Sequence, residues 1–130
     1  MIVVDSSVLI AILLDEAEKS MFAAAIVAAD GARISAPNYF EASMVAEVRQ
    51  GEAGCRDLDQ LAMATGLDVV SFEATHIEAA RDAFRRYGKG RHRASLNFGD
   101  CCAYALAKTL DAPLLFKGND FAHTDIKRAI

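Results

Sequence analysis

Two hydrophobic rhythms alternate along this chain. Short apolar or β-branched runs stand at Ile2–Val4, Ala32–Ala36, Leu67–Phe72 and Ala112–Phe116, each the length of a buried strand. Between them the apolar residues recur at helical spacing. The stripes are Val8, Leu9, Ile12 and Leu13; then Met21, Phe22, Ala25, Ile26 and Ala29; then Phe40, Met44, Val45 and Val48. Two more follow: Ile77, Ala80, Phe84 and Tyr87, and Phe98, Cys101, Cys102, Ala105, Leu106 and Leu110. Each stripe predicts a helix with that face on the core. A weaker strand is expected over Asp125–Ala129. Gly31, Gly51, Gly66 and Gly88 each follow a helical stretch, where a left-handed cap favours glycine. Pro37 suits the first turn of the third helix.

Short strands alternating with helices predict an α/β fold: a parallel sheet of four to five strands, with helices on both faces. In such sheets, sites form outside the carboxyl ends of the strands.

The 130 residues suit one domain spanning 1–130. With 53% hydrophobic and 25% charged residues, the chain has the means to build a core and is not disordered. Its apolar runs are interrupted well before the ~18 to 20 residues of a membrane span. The apolar start carries Asp5 and no basic leader, so a cytoplasmic protein is expected. Cys55, Cys101 and Cys102 match neither a disulfide framework nor zinc spacing, and read as small buried side chains in a reducing compartment.

Net charge is −4, which by itself does not point to nucleic acid. The distribution does more. Arg81, Arg85, Arg86, Lys89, Arg91 and Arg93 place six of the 14 basic residues in one short segment whose only acid is Asp82. Such a strip suits phosphate contacts, and equally a solvated helix face running into a loop.

Four acids occupy informative places. Asp5 follows the first strand, and helix capping explains it as well as chemistry does. Glu41 lies near the start of the helix opened by Pro37, where a negative charge is favourable. Asp100 stands three residues after Asn97, in the pattern of a capping box, at the edge of a very apolar helix. Asp120 follows the last clear strand in Lys117–Gly118–Asn119–Asp120, a sequence that also suits a turn. Taken together, all four can converge at one sheet edge. Crowded carboxylates raise one another's pKa, and a divalent cation relieves the repulsion; oxygen-only ligands suit Mg²⁺ or Mn²⁺.

Four segments carry a resemblance: Met1-Ile-Val-Val-Asp-Ser-Ser, Ala36-Pro-Asn-Tyr-Phe-Glu-Ala, Leu96-Asn-Phe-Gly-Asp-Cys-Cys-Ala-Tyr-Ala and Leu115-Phe-Lys-Gly-Asn-Asp-Phe. Over essentially its full length the chain resembles the PIN-domain family, and within it the VapC toxins of bacterial toxin–antitoxin modules. The resemblance implies a PIN-like fold and four acids around Mg²⁺ or Mn²⁺: Asp5, Glu41, Asp100 and Asp120, with Asp5 and Asp100 as direct ligands. Ser6, Asn97 and Asp125 would form the surrounding shell. It further implies an endoribonuclease that uses a metal-activated water, leaving a 5′ phosphate and a 3′ hydroxyl. A VapB-type antitoxin and a homodimer are implied as well. Arg85, Arg86, Lys89, Arg91 and Arg93 would then hold RNA phosphates. Lys117 departs from the family pattern, which has a smaller polar residue before the turn.

Three other readings are available. A phospho-accepting receiver domain would use Lys117, but it needs an aspartate ending its central strand, and Leu67–Phe72 provides none. A haloacid-dehalogenase phosphatase needs a second aspartate where Ser7 stands. A PIN-fold binding module without catalysis is the third. A metal-free ribonuclease would rely on histidine, and His76, His92 and His123 read instead as ordinary polar or phosphate-contacting groups.

Overall fold

The first strand, β1 (Ile2–Val4), divides the core by its pleat. Val3 packs into one apolar cluster and Val4 into another, because successive strand side chains leave on opposite faces. Leu114 and Leu115 of β4 (Leu114–Leu115) repeat that division. This computed structural model describes residues 1–130.

The remaining elements are α1 (Ser6–Leu13), α2 (Lys19–Ala28), β2 (Ala32–Ser35), α3 (Ala36–Thr65), β3 (Leu67–Val70), α4 (Ala74–Tyr87) and α5 (Phe98–Leu110), with a 3₁₀ turn at Asp120–His123 after β4. The strands form one parallel sheet in the order β3-β2-β1-β4. Helices α1, α2 and α3 cover one face through Val8, Leu9, Ile12, Phe22, Ile26 and Leu58. Helices α4 and α5 cover the other through Ala83, Cys101, Tyr104 and Leu106. Each fully buried Leu or Ile contributes about 1.5 to 3 kcal/mol to the folded state. The α/β class and the two-sided sheet are as expected.

The strands are shorter than their apolar runs. β3 ends at Val70, and β4 pairs only over Leu114 and Leu115. The expected strand at Asp125–Ala129 reduces to one parallel bridge between Leu114 and Arg128. The sheet therefore has four strands.

The α5 stripe faces the core as read except for Phe98, whereas the α3 stripe and part of the α4 stripe do not. In the first half of α3 the buried positions are Asn38, Ala42 and Ala46, whereas Phe40, Met44 and Val48 are exposed. Small side chains let α3 lie close against α1, and the bulky stripe is left outside. In α4, Ile77 and Phe84 are exposed, and on α5 Phe98 is 78% exposed.

Gly51, at φ 65° and ψ −156°, breaks α3 and turns it back. Its halves then lie side by side: Tyr39 Oη donates to Asp59 Oδ1 at 2.6 Å, and the Sγ of half-buried Cys55 lies 3.5 Å from the Ser43 carbonyl. Cys101 and Cys102 are buried and all three thiols are free. Gly88 differs from the left-handed cap expected of it. Its φ is −66°, and a Cβ there would collide with the Phe84 ring and carbonyl, so close packing requires the glycine. No helix is long and apolar enough to cross a membrane.

Candidate active site

Asp5 leaves the carboxyl end of β1, where its N–H donates to the Leu115 carbonyl at 3.0 Å. It is the N-cap of α1: Oδ2 accepts the Ser7 N–H at 3.1 Å. The carboxylate is only 4% exposed, and Oδ1 is buried with no protein partner. One oxygen thus does the capping, and the other is left for something else. Burial, with a smaller contribution from the Glu41 charge, outweighs the hydrogen bonds from Ser6 and Ser7 and pushes Asp5 up to about 6.

Asp100 also takes part in capping a helix. The Asn97 N–H donates to Asp100 Oδ2 at 3.1 Å and the Asp100 N–H donates to Asn97 Oδ1 at 2.9 Å, a reciprocal capping box that starts α5. Burial raises Asp100 to about 7, and the charges of Asp5, Asp120 and Glu41 add to the rise. Those three influences place the four acids in one electrostatic neighbourhood.

Glu41 is held by Ser6, whose Oγ donates to Oε1 at 2.5 Å. Asp120 opens the 3₁₀ turn at the exposed rim. The group therefore grades from buried Asp5, through half-buried Glu41 and Asp100, to exposed Asp120. No three carboxylate, imidazole or thiol groups already stand together as a ligand set. Oxygen donors, crowded like charges and the unpartnered Asp5 Oδ1 nevertheless fit a hard divalent cation. Mg²⁺ needs only one or two carboxylates and keeps waters elsewhere.

Sequence reasoning missed three supports. Gly99 gives Glu41 its room, since a Cβ at position 99 would stand 2.8 Å from Oε1 and 3.0 Å from Oε2. Fully buried Asn38 donates from Nδ2 to the Gly99 carbonyl at 2.8 Å, joining the start of α3 to the start of α5. Ser7 Oγ accepts the Lys117 N–H at 3.0 Å and anchors the loop that carries Asp120. The Asn-Phe-Gly-Asp sequence contains a signal for Gly99, but nothing local points to Asn38.

Two expected site residues lie elsewhere. Asp125 accepts from Tyr104 Oη at 2.7 Å and from Lys108 Nζ at 2.9 Å, with Arg86 at 3.6 Å. Burial works against its ionisation, yet these partners outweigh it and hold Asp125 below the ordinary carboxylate range. It is already neutralised by cations and makes no bond to the other acids. Arg86 is drawn into the same network, bonding Asp82, Tyr104 and Tyr87, and so is not a free phosphate ligand. Arg85, Lys89, Arg91 and Arg93 remain exposed.

The chain matches the model of the PIN domain over residues 2–127. The chain belongs to the PIN-domain family. Within that family its relatives are VapC ribonucleases. It is 49% identical to Ribonuclease VapC30 of Mycobacterium tuberculosis over 124 residues, covering 95% of each chain. It is 46% identical to Ribonuclease VapC of Mycolicibacterium smegmatis, covering 95% of this chain and 96% of that one. Its PIN fold superposes on the crystal structure of the Mycobacterium tuberculosis toxin VapC20, described as cleaving the sarcin–ricin loop. The TM-score is 0.78 at 16% identity, over 97% of this chain and 96% of that one.

The receiver reading fails on this PIN domain's own geometry. Asp57 lies within α3, and β3 is an edge strand. Lys117 Nζ is bound to Glu16 at 3.1 Å and Glu18 at 3.3 Å. Those partners also account for a lysine at this place in the turn. His76 Nδ1 accepts the Glu73 N–H and His92 Nδ1 the Ala94 N–H, each at 3.0 Å, while His123 is exposed at the end of the 3₁₀ turn.

Proposed function

We propose that this PIN domain is a VapC-type endoribonuclease, the toxin of a toxin–antitoxin pair, and that it hydrolyses RNA with Mg²⁺ or Mn²⁺ held by Asp5 and Asp100. The observation that carries the reading is Asp5: a buried carboxylate with one oxygen unpartnered, near Asp100, both raised by burial and by the charges of neighbouring acids. The 49% identity to ribonucleases over nearly the whole chain supports the RNA substrate and the VapB-type antitoxin.

The bound ion would polarise a phosphodiester and lower the pKa of a water. The protein's share is positional. Asp5 and Asp100 supply oxygens from two rigid starting points, the end of β1 and the first turn of α5. Glu41, fixed by Ser6 and given room by Gly99, stands beside them to orient and deprotonate the attacking water. Asp120 at the rim would complete the charge set on the solvent side. Arg85, Lys89, Arg91 and Arg93 would offset the repulsion that an acidic site exerts on phosphate.

A homodimer would cover the exposed stripe of Phe40, Met44 and Val48 on α3. The free thiols suit a cytoplasmic, reducing setting.

The deciding experiment measures cleavage of structured and tRNA-like RNAs in Mg²⁺ and in EDTA, with Asp5→Asn and Asp100→Asn as controls. Mg²⁺-dependent products carrying 5′ phosphates, lost in both variants, are expected. Cleavage in EDTA that leaves a cyclic phosphate would overturn the metal mechanism. Equal cleavage by the variants would assign the activity to a contaminant.

A further inference from the structure

An open groove of about 560 Å³ runs between α4 and α5, outside the acid group. Its walls are Phe72, Ile77, Phe84 and Phe98, and its charged lining is Arg81 and Arg85, with no carboxylate. The groove begins where the acid site ends, because Phe98 and Cys101 line it and Asp100 lies between them in the first turn of α5. Exposed aromatic rings cost solvation free energy unless something covers them in use. Phe98 is 78% exposed and Phe84 43%, and the Arg91 guanidinium stands 5.1 Å over the Phe84 ring.

Resting on the ribonuclease reading, we infer that this groove holds an unpaired nucleobase of the RNA, stacked on Phe98 and Phe84, with Arg81 and Arg85 on the flanking phosphates. Single-stranded nucleic acid is recognised by this combination of aromatic faces and arginines. The charge favours RNA over an apolar protein segment. The groove opens on the most basic segment of an otherwise acidic chain, and Arg81 and Arg85, unlike Arg86, form no ion pair. The walls offer few groups able to read a base edge, so stacking there is tolerant of base identity. The groove thus selects unpaired over paired RNA rather than one sequence over another, and it fixes the strand one step from Asp100.

The test uses the full chain and a short unstructured RNA carrying 2-aminopurine at successive positions. Quenching is read in EDTA and cleavage kinetics in Mg²⁺, for wild type and for Phe98→Ala, Phe98→Leu and Phe98→Tyr. Phe98 is largely exposed, so all four proteins should share one Tm. Quenching at one or two positions is expected in wild type and Phe98→Tyr and not in the other two. KM should rise about ten-fold in Phe98→Ala and Phe98→Leu, with kcat nearly unchanged. A Phe98→Leu protein that behaves like wild type would overturn the inference, since stacking needs an aromatic ring. Unchanged quenching and KM in Phe98→Ala would overturn it while leaving the ribonuclease reading standing. A wild type that neither binds nor cleaves RNA would remove both.

Discussion

Glu41 lies directly against Gly99, so closely that a methyl group at position 99 would stand 2.8 Å from one carboxylate oxygen and 3.0 Å from the other. The atoms in conflict are the far end of a flexible side chain, so Gly99→Ala should fold, with stability changed by no more than about 1 kcal/mol, at the low end for overpacking. Glu41 would have to move and would lose its bond from Ser6. Cleavage should fall at least ten-fold while the Tm barely changes. A steady-state assay beside a thermal melt checks this, and full activity in the variant would show that the position of Glu41 is unimportant.

Asn38 makes a different prediction, because it supports the same place from inside. Asn38→Ala removes the buried hydrogen bond to the Gly99 carbonyl, a loss of about 0.5 to 1.5 kcal/mol. The variant should melt several degrees lower and lose activity, while Asn38→Asp should be no better, since it supplies no amide donor. Chemical denaturation measures the stability difference.

The pH dependence follows from Asp5 and Asp100, whose values in the folded state are raised from 3.8 to about 6 and about 7. An acid with a raised folded pKa contributes stability that is complete below its unfolded value. That contribution is lost as pH rises through the folded value. The metal-free protein should therefore lose stability from these groups between about pH 4 and pH 7. Mg²⁺ binds the deprotonated carboxylates, so the rise in Tm on adding it should grow from pH 5 to pH 8. Melts at fixed ionic strength test this; a pH-independent Mg²⁺ shift would contradict it.

Replacing the buried charge separates stability from function. Asp5→Asn retains a side-chain oxygen for the Ser7 cap and removes the desolvated anion. In EDTA at pH 8 the variant should melt at or above wild type. In Mg²⁺ the order should reverse, with cleavage reduced by two orders of magnitude or more. Calorimetric titration should show the loss of Mg²⁺ binding directly.

The basic segment divides into free and committed residues. Arg91→Ala with Arg93→Ala should weaken RNA binding at low salt and flatten its salt dependence, by about 0.7 in logarithmic slope for each phosphate no longer neutralised. Arg86→Ala should leave that slope unchanged, because Arg86 is bound to Asp82, Tyr104 and Tyr87. Its ion pairs are solvent-exposed and each contributes only about 0 to 1 kcal/mol to folding. Filter binding across a salt series separates the two groups.

Local sequence was enough for those parts of the site whose geometry is local. Ile2–Val4 followed by Asp5, and Asn97 followed three residues later by Asp100, each state a strand end or a helix start together with a carboxylate. In both, capping engages only one of the two carboxylate oxygens, so a cap and the proposed metal contact are compatible. The alternating rhythm also determined the parallel α/β class.

Only tertiary packing could decide the rest. Which stripe of α3 faces inward depends on how close α1 lies, and the small residues Ala42 and Ala46 won over the more hydrophobic Phe40 and Met44. Asp125 and Asp120 look alike in sequence, yet Lys108 and Arg86 neutralise one, with a hydrogen bond from Tyr104, and leave the other beside Asp100. Asn38 and Gly99 are separated by 61 positions and meet through a single buried hydrogen bond. Sequence determined which carboxylates were available and at which element ends they stand, because strand and helix signals are short-range. The approach of one helix to another decided which of them share a site, since charge, burial and room for a side chain are properties of the packed chain.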